Sequence, residues 1–311
     1  MSTDILISVL TPVYNRADKI HRVFDSLEKS TYRNFELIIL DDGSTDNIEE
    51  VVNEYKQKVT YPVTFLRKEN EGKHVALNIL HQMAKGKYVF QLDSDDEIMP
   101  DAMETALKVW DNIDPAKKDD YWCVLGRVID QHERKMQGEL FDEGVNNLEW
   151  DEIRKIMKKN QAEKWGLQRT DVLRKYKLPE PKGITFVMEG LLWDLIQNDY
   201  KEYLTNEIFR VYYINDGDCL TQPIKNIQWA KNKYYSRLYS LNRGKTYKIP
   251  LKEYWTHIAY VSICYLLLSK EDMADMEEKP TFKNKLAMAF AIPPIYICLP
   301  LIKKKMNWKY E

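Results

Sequence analysis

Three aspartates, Asp93, Asp95 and Asp96, directly follow an apolar segment at 88–92. Removing an unpaired carboxylate from water is costly, so a buried strand that ends in three acids implies a partner for them. Two carboxylates one residue apart at a strand end provide hard oxygen ligands for a divalent cation, which in enzymes often carries a diphosphate. The segment therefore favours an enzyme that handles an activated phosphate ester.

Other polar side chains follow the neighbouring predicted strands and suit the parts of a nucleotide. Tyr14, beside Asn15 in a strand-to-helix turn, can stack its ring on a pyrimidine base. Asp42 follows a second apolar strand and can accept the imide N–H of uracil. Lys73 lies near a helix start, where a cation and main-chain N–H groups both attract a diphosphate. The alternatives are an exposed turn tyrosine, a helix-capping acid and a solvated lysine.

The elements that position these residues alternate through the first hundred residues. Strands are predicted at 5–10, 35–40, 62–66 and 88–92, and helices at 17–29, 44–54 and 72–85. Such alternation is typical of a mostly parallel sheet flanked by helices, in which ligands bind at the carboxyl ends of the strands. Beyond residue 100 the pattern loosens, with helices predicted at 100–110, 149–159, 189–196 and within 223–268, and strands at 121–129 and 209–214.

The composition is that of a soluble globular protein, with 44% hydrophobic and 30% charged residues in a chain of 311. The net charge of −2 indicates no class of partner, but its distribution is uneven. Residues 1–100 carry 12 Lys or Arg and 17 Asp or Glu, a net charge of −5. Residues 281–311 carry 6 basic residues and one acid, a net charge of +5. A basic tail of this kind indicates an anionic surface as its partner.

The cysteines and histidines indicate neither a disulfide framework nor a zinc site. Cys123, Cys219, Cys264 and Cys298 lie beside apolar residues without Cys-x-x-Cys spacing, so we expect buried free thiols in a reducing cytosol. The five histidines show no zinc-ligand spacing. The first apolar run is expected to end at Pro12, which makes it too short for a secretory signal peptide.

Four segments, in this order, resemble the inverting family 2 glycosyltransferases of GT-A fold. They are Ser-Val-Leu-Thr-Pro-Val-Tyr-Asn at 8–15, Phe-Glu-Leu-Ile-Ile-Leu-Asp-Asp-Gly-Ser-Thr-Asp at 35–46, Asn-Glu-Gly-Lys at 70–73 and Leu-Asp-Ser-Asp-Asp at 92–96. The resemblance implies an α/β fold of the Rossmann-like GT-A type, here with a helical C-terminal extension. It also implies a nucleotide-sugar donor, bound by Pro12, Tyr14, Asn15, Asp42, Lys73, Asp93 and Ser94.

The aspartate segment at 92–96 matches the Asp-x-Asp motif of that family. The resemblance implies that Asp95 ligates Mn²⁺ or Mg²⁺ and that Asp93 lies near the ribose or the sugar. The cation would neutralise charge as the nucleotide departs, which is a Lewis-acid role. Some relatives place a further metal-contacting His in the region that corresponds to 213–218, and no His stands there.

An inverting transfer also needs a general base that takes the proton of the acceptor hydroxyl. The family commonly supplies an acid from a Glu-Asp pair that opens a helix, and Glu189, in Met-Glu-Gly-Leu-Leu-Trp-Asp at 188–194, is the best match. Gly190 stands where the family has its second acid. Asp194 is the alternative base, and Glu189 would then be a helix-start acid that complements the helix dipole.

The C-terminal third contains two distinctive segments. Residues 217–250 hold 7 basic residues and one acid with aromatic residues between them, which favours an amphipathic helix with a solvated basic face over a nucleic-acid site. Residues 286–302 carry no charge and lie between lysine clusters. This segment is shorter than the roughly 20 residues of a spanning helix, and Pro293, Pro294 and Pro300 are expected to break it. We expect a monotopic segment on anionic headgroups, the alternative being a tail that packs in the core or forms a dimer.

The sequence thus predicts a nucleotide-sugar-binding half at 1–100, an acceptor-binding catalytic half at 101–220, a helical extension at 221–280 and a membrane-associating tail at 281–311. The expected activity is metal-dependent inverting transfer from a UDP-sugar to a glycan or lipid-linked acceptor on the cytoplasmic face of the membrane, in surface polysaccharide assembly. The sequence has neither a Gln-x-x-Arg-Trp motif nor a series of spans, which favours single addition. The alternative is a non-catalytic module that binds nucleotide sugars. A dinucleotide-dependent oxidoreductase is disfavoured because no Gly-x-Gly-x-x-Gly follows the first strand.

Overall fold

The computed structural model describes residues 5–132, 134–160, 162–213, 225–243, 251–274 and 276–308. The chain divides into two compact units. The first, called here the sheet unit, comprises residues 1–70, 76–177 and 199–215. The second, the helical unit, comprises residues 71–75, 178–198 and 216–311.

The described part of the sheet unit contains one mixed sheet of eight strands, in the order β3-β2-β1-β4-β7-β6-β8-β5. The strands are β1 Ile7–Val13, β2 Phe35–Asp41, β3 Val63–Arg67, β4 Tyr88–Gln91, β5 Glu97–Ile98, β6 Tyr121–Asp130, β7 Lys164–Arg169 and β8 Lys201–Tyr212. All neighbours pair in parallel except β7, which runs antiparallel to β4 and β6, and β5, which runs antiparallel to β8. The prediction of a mostly parallel sheet is confirmed, although β5 and β7 carry too few apolar residues to be predicted.

Helices flank this sheet and form the described part of the helical unit. They are α1 His21–Glu28, α2 Ile48–Lys56, α3 Lys73–Met83, α4 Ala102–Asp111, α5 Trp150–Lys159, α6 Thr170–Lys175, α7 Gly190–Ile196, α8 Ile227–Arg243, α9 Leu251–Leu267, α10 Lys270–Ala274 and α11 Phe282–Lys305. The three helices predicted in the first hundred residues correspond to α1, α2 and α3.

The apolar face of α1 packs into the core of the sheet unit. Ile20, Val23, Phe24 and Leu27 have the i, i+3, i+4, i+7 spacing of one helical face, and all four are buried in the same cluster as Val9 of β1. Burying one such side chain stabilises the fold by about 1.5–3 kcal/mol. This packing holds β1 in place and so fixes the position of the loop at its carboxyl end.

β1 continues through Pro12 to Val13, so the strand predicted at 5–10 extends further than expected. The hydrogen bonds of the neighbouring residues explain why a proline is tolerated. Val13 accepts a hydrogen bond from Asp42 on the β2 side. Because main-chain groups alternate in direction along a strand, Pro12 faces the β4 side, where the ladder of β1 with β4 ends at Leu10. The missing N–H therefore removes no bond of the sheet.

In the helical unit, α9 packs against both α8 and α11. Near the start of α11, Asn284 donates to the side chain of Asn242 on α8 at 2.9 Å and accepts from the hydroxyl of Tyr254 on α9 at 3.0 Å. Just beyond the end of α11, the ring of Trp308 lies 6.4 Å from that of Trp229 on α8. Both ends of α11 are therefore held against the other helices, so α11 lies along them.

α11 is one continuous helix of 24 residues, so the expectation that Pro293, Pro294 and Pro300 break it is wrong. A proline inside a helix removes the hydrogen bond to the carbonyl four residues earlier. Here all three of those carbonyls belong to exposed residues, so water can satisfy them. Among the described residues, α11 alone is long and apolar enough to cross a membrane by length and composition, and most of it is exposed.

The described cysteines differ in exposure, so the expectation of buried thiols is corrected at one of them. Cys264 is a buried free thiol, as is Cys123 in β6, but Cys298 is exposed because it lies on the uncovered part of α11. Cys219 lies outside the described residues.

The described part of the basic segment at 217–250 forms α8, whose aromatic side chains are buried. This burial favours an amphipathic helix over a surface for stacking nucleic-acid bases.

Candidate functional site

The carboxyl ends of β1, β2 and β4 lie side by side, because β1 pairs with β2 on one side and with β4 on the other. The loops after these strands carry Tyr14 and Asn15, then Asp42, then the aspartate segment at 92–96. Pro12 is buried at the end of β1. The structure therefore brings these predicted site residues to one edge of the sheet.

The turn after β1 is held by hydrogen bonds to the loop after β2. Asn15 has a φ angle of +51°, a left-handed conformation that Asn adopts more readily than most residues. Its main-chain N–H donates to Ser44 Oγ at 2.8 Å, and its side-chain Oδ1 accepts from the main-chain N–H of Thr45 at 2.8 Å. Asn15 thus fixes the turn, and the adjacent Tyr14 remains 45% exposed.

Asp42 is buried at the end of β2, where Lys68 neutralises its charge. The Lys68 ammonium donates to Asp42 Oδ1 at 2.8 Å. An open groove of about 640 Å³ adjoins this pair, lined by Gly43, Arg67, Lys68, Glu69 and Asn70. In such a pair the carboxylate can accept an N–H from a base, and the ammonium group can donate to a carbonyl oxygen of the same base. Lys68 was not among the predicted site residues; the available signal was its place directly after β3, the strand that pairs with β2.

The four side chains of the Asp-x-Asp segment differ in exposure. Asp93 and Asp95 are 32% and 34% exposed, whereas Ser94 and Asp96 are buried. No group of three or more His, Cys, Asp or Glu side chains in the described part of the chain is arranged to hold a metal ion by itself. Mg²⁺ and similar cations bind through one or two carboxylates and take their other ligands from phosphates and water. Asp93 and Asp95 fit that donor set.

Two arginines approach Asp95 from the first loop and from α1. Arg16 Nε lies 3.6 Å from Asp95 Oδ2, and Arg22 donates to the main-chain carbonyl of Asp95 at 3.0 Å. The guanidinium of Arg22 also stacks on the ring of Tyr213, 3.7 Å from its centre. Positive charge is therefore already present beside the carboxylate that is predicted to bind a cation.

Arg210 of β8 provides a buried positive charge to the same segment. Its Nη1 atom lies 3.3 Å from Asp96 Oδ2 and 3.8 Å from Asp93 Oδ2, and its Nη2 atom donates to Glu163 at 2.5 Å. The main-chain N–H of Tyr213 donates to Asp96 at 3.0 Å. Burial raises the pKa of Asp96 to about 7, although the charge of Arg210 lowers it. Arg210 was not among the predicted site residues; the signal for it was that a buried acid needs a positive charge nearby.

In the helical unit, Lys73 and Glu189 form an ion pair, with 2.8 Å between Nζ and Oε1. Lys73 is the first residue of α3. Glu189 directly precedes α7, where its side chain makes no capping hydrogen bond. Asp194, the alternative base, lies within α7 and is half-buried. Within the region 213–218, only Tyr213 belongs to the described residues.

Sequence comparison identifies relatives over most of the chain and over about a third of it. The model of the family described as "Glycosyl transferase family 2" matches residues 8–167. YibD of Escherichia coli strain K12, an uncharacterized glycosyltransferase, is 27% identical over 297 residues, which covers 88% of this chain and 82% of YibD. The chondroitin synthase of Pasteurella multocida strain Pm70 is 44% identical over 104 residues, which covers 33% of this chain but only 11% of the synthase.

Structure comparison gives the same result for the fold. S. aureus TarS (residues 1–349), solved in complex with UDP, has a TM-score of 0.56 at 16% identity, covering 98% of this chain and 93% of the TarS chain. The mannosyltransferase PcManGT from Pyrobaculum calidifontis, solved with GDP-Man and Mn²⁺, has a TM-score of 0.55 at 16% identity, covering 96% of this chain and 76% of its own. These similarities show the predicted GT-A fold. Because the family model also spans half of the chain and all four motifs, this chain is an enzyme of glycosyltransferase family 2.

Proposed function

We propose that the protein is a metal-dependent, inverting glycosyltransferase that adds single sugars from a UDP-sugar to a hydroxyl group of a glycan or lipid-linked acceptor. The observation that carries this proposal is the pair of partly exposed carboxylates, Asp93 and Asp95, at the sheet edge that also presents Tyr14 and Asp42. TarS in complex with UDP or UDP-GlcNAc and PcManGT with GDP-Man and Mn²⁺ support a nucleotide-sugar donor. The partial match to a chondroitin synthase supports a role in polysaccharide synthesis.

In this proposal the loops after β1 and β2 bind the nucleoside. Tyr14 stacks on the base, and Pro12 and Asn15 hold the turn that presents its ring. Asp42 accepts the imide N–H of uracil, while Lys68 donates to an adjacent carbonyl oxygen. Uracil presents an N–H donor next to a carbonyl acceptor, which suits the Asp42 carboxylate and the Lys68 ammonium group. Cytosine would instead place a lone pair against the Asp42 carboxylate.

The aspartate segment binds the rest of the donor. Asp93 and Ser94 contact the ribose or the sugar, and Asp95 ligates Mn²⁺ or Mg²⁺. Bound there, the cation would neutralise negative charge on the departing diphosphate. Lys73 contributes a further positive charge to the diphosphate.

Glu189 is the proposed general base. It takes the proton of the acceptor hydroxyl while the acceptor oxygen attacks the anomeric carbon, and the bond to the nucleotide diphosphate breaks with its electron pair staying on the phosphate oxygen. One displacement of this kind inverts the configuration of the anomeric carbon. Asp194 is the alternative residue for this role.

We also propose that α11 binds the protein to the cytoplasmic face of a membrane and lies in its plane. Phe290, Ile297 and Leu301 are 71%, 78% and 71% exposed, and the basic residues 303–305 follow directly. Exposed apolar area of this kind marks an interaction site, and lysines favour anionic headgroups. Because both ends of α11 are held by α8 and α9, an in-plane arrangement keeps those contacts. The free thiols of the described cysteines are consistent with a reducing compartment.

Thermal unfolding against a panel of nucleotide sugars, with Mn²⁺ or with a chelator, tests the proposed donor. We expect UDP-sugars with Mn²⁺ to raise the midpoint, since a ligand at a hundred times its Kd stabilises the folded state by about 2.7 kcal/mol. Hydrolysis of the same donor without acceptor separates an enzyme from a non-catalytic module. Stabilisation that is equal with Mn²⁺ and with chelator would contradict metal dependence, and a preference for another nucleotide would contradict the uracil assignment.

A further inference from the structure

We propose that Arg16 is an exchangeable counter-cation of the metal site, which pairs with Asp95 before donor binding and moves to the donor diphosphate when Mn²⁺ or Mg²⁺ binds. The inference rests on the proposed function, in which Asp95 ligates the cation. Its consequence is that the cation enters together with the nucleotide, because Arg16 competes with the cation for Asp95 as long as no diphosphate is present.

The main chain on both sides of Arg16 is fixed, so its side chain starts from a defined position. Before it, Asn15 is held in the left-handed conformation by Ser44 and Thr45. After it, the main-chain N–H of Ala17 donates to Asp46 Oδ2 at 2.9 Å. From this position the side chain reaches Asp95, with 3.6 Å between Nε and Oδ2, while Nη1 donates to the carbonyl of Asn15 at 2.9 Å.

Two arginines beside the aspartate segment, Arg210 and Arg16, differ in how firmly they are held. Arg210 is buried and paired with Asp93, Asp96 and Glu163, so its movement would leave buried charges without a partner. The pair of Arg16 with Asp95 is partly open to solvent, and its 3.6 Å separation is longer than that of a strong charge-assisted hydrogen bond. Arg210 is therefore a fixed charge, whereas the longer and partly exposed pair of Arg16 with Asp95 can be exchanged for a pair with phosphate.

The exchange follows from simple electrostatics. A divalent cation on Asp95 repels the guanidinium that lies beside the same carboxylate. The diphosphate that accompanies the cation offers Arg16 a new anion nearby, and the planar fork of a guanidinium matches phosphate oxygens. Arg16 thus keeps Asp95 neutralised in the free enzyme and adds one contact to the bound donor.

Calorimetry with Mn²⁺ alone, and with UDP at saturating Mn²⁺, tests this proposal in the full chain. Arg16→Gln removes the competing charge, so we expect it to bind Mn²⁺ alone roughly two- to fivefold more tightly, the scale of a partly exposed ion pair. The same variant should bind UDP in the presence of Mn²⁺ about tenfold more weakly, because one charged phosphate contact is lost. Arg16→Lys keeps the charge and should stay near wild type for Mn²⁺ alone.

Arg22→Gln is the matched control, because Arg22 is bonded to the main-chain carbonyl of Asp95. The affinity of this variant for Mn²⁺ alone should stay within about twofold of wild type, a smaller change than the loss of an ion pair is expected to cause. If Arg16→Gln weakens the binding of Mn²⁺ alone and also that of UDP with Mn²⁺, Arg16 has a structural role. If neither affinity changes, Arg16 has no role in binding. Either result overturns the inference. Asp95→Asn separates the two proposals: if it leaves the Mn²⁺ enhancement of UDP binding unchanged, the metal assignment itself fails, whatever Arg16→Gln does.

Discussion

The ammonium group of Lys73 lies 2.8 Å from a carboxylate oxygen of Glu189. The residue proposed to bind the donor diphosphate is therefore paired with the residue proposed as the general base. An ammonium group has three N–H donors, so Lys73 can hold Glu189 and contact a phosphate oxygen at the same time. The pairing keeps the Glu189 carboxylate in a defined orientation at the start of α7.

Glu189→Gln keeps the shape of the side chain but removes its basicity. We expect the rate of sugar transfer to fall by roughly 10²–10⁴-fold, the usual scale for the loss of a general base, with little change in donor affinity. Initial rates at saturating donor, together with calorimetry of UDP, measure the two effects. Asp194→Asn is the matched control and should keep most of the activity. The opposite result, in which Asp194→Asn is the inactive variant, would make Asp194 the base.

Asp95→Asn should abolish the enhancement of UDP binding by Mn²⁺ without unfolding the protein. The side chain is partly exposed at a strand end, so its neutral isostere leaves the core intact. Calorimetry of UDP with and without Mn²⁺ gives the enhancement, and circular dichroism checks the fold. An equal enhancement in wild type and variant would remove Asp95 from the list of metal ligands.

Asp42→Asn should reduce the preference of the protein for UDP over CDP. The buried carboxylate can accept the imide N–H of uracil but repels the N3 lone pair of cytosine, whereas an amide can turn its N–H toward that lone pair. We expect UDP affinity to fall about tenfold through loss of a charge-assisted hydrogen bond, and CDP affinity to rise or stay constant. Competition titrations of both nucleotides measure the ratio. An unchanged ratio would place the base away from Asp42.

Replacing Phe290, Ile297 and Leu301 of α11 together by Ser should abolish co-sedimentation with anionic liposomes. These side chains are exposed, so the substitutions leave the contacts of α11 with α9 intact. Replacing the lysines at 303–305 by Gln is the matched variant for electrostatics. It should weaken binding by about 1 kcal/mol per lysine at low salt and make binding less sensitive to added salt. Wild-type protein that ignores liposomes under all these conditions would refute the membrane proposal.

We expect His81 to make the stability of the folded protein dependent on pH. It is buried on α3, with its Nε2 atom 3.0 Å from Gln91 Oε1, and burial lowers the pKa of His81 to about 4 from an ordinary value of 6.5. As the pH falls below 6.5, the unfolded chain takes up the proton first. The folded state therefore loses about 2 kcal/mol of stability between pH 7 and pH 5.

The variant His81→Gln isolates this effect, because it can still donate to Gln91 but does not titrate. Urea unfolding at pH 7 and pH 5 should show a smaller loss of stability in the variant, by about the same 2 kcal/mol. A loss that is equal in both proteins would assign the acid sensitivity to other groups.

Much of the sheet and the place of its candidate site follow from local properties of the chain. The apolar run at 35–40 is continuous because a parallel strand is covered on both faces, and the structure has β2 at Phe35–Asp41. Tyr14, Asp42 and Asp93 were predicted to lie at one edge because parallel strands carry their carboxyl ends to the same side. Such features can be predicted from the order of the elements along the chain and from the polarity of the residues that follow each strand.

The charge pairing at that edge depended on the tertiary structure. Lys68 beside Asp42, and Arg210 beside Asp96, belong to segments far apart in the chain, and a charged residue has the same appearance in a sequence whether it is buried or solvated. The effect of the prolines likewise depended on their neighbours. Pro12 lies in β1 where the ladder with β4 has ended, and the carbonyls that the α11 prolines leave unbonded belong to exposed residues. In both cases the physical cost is set by what surrounds the residue, and only the folded chain determines those surroundings.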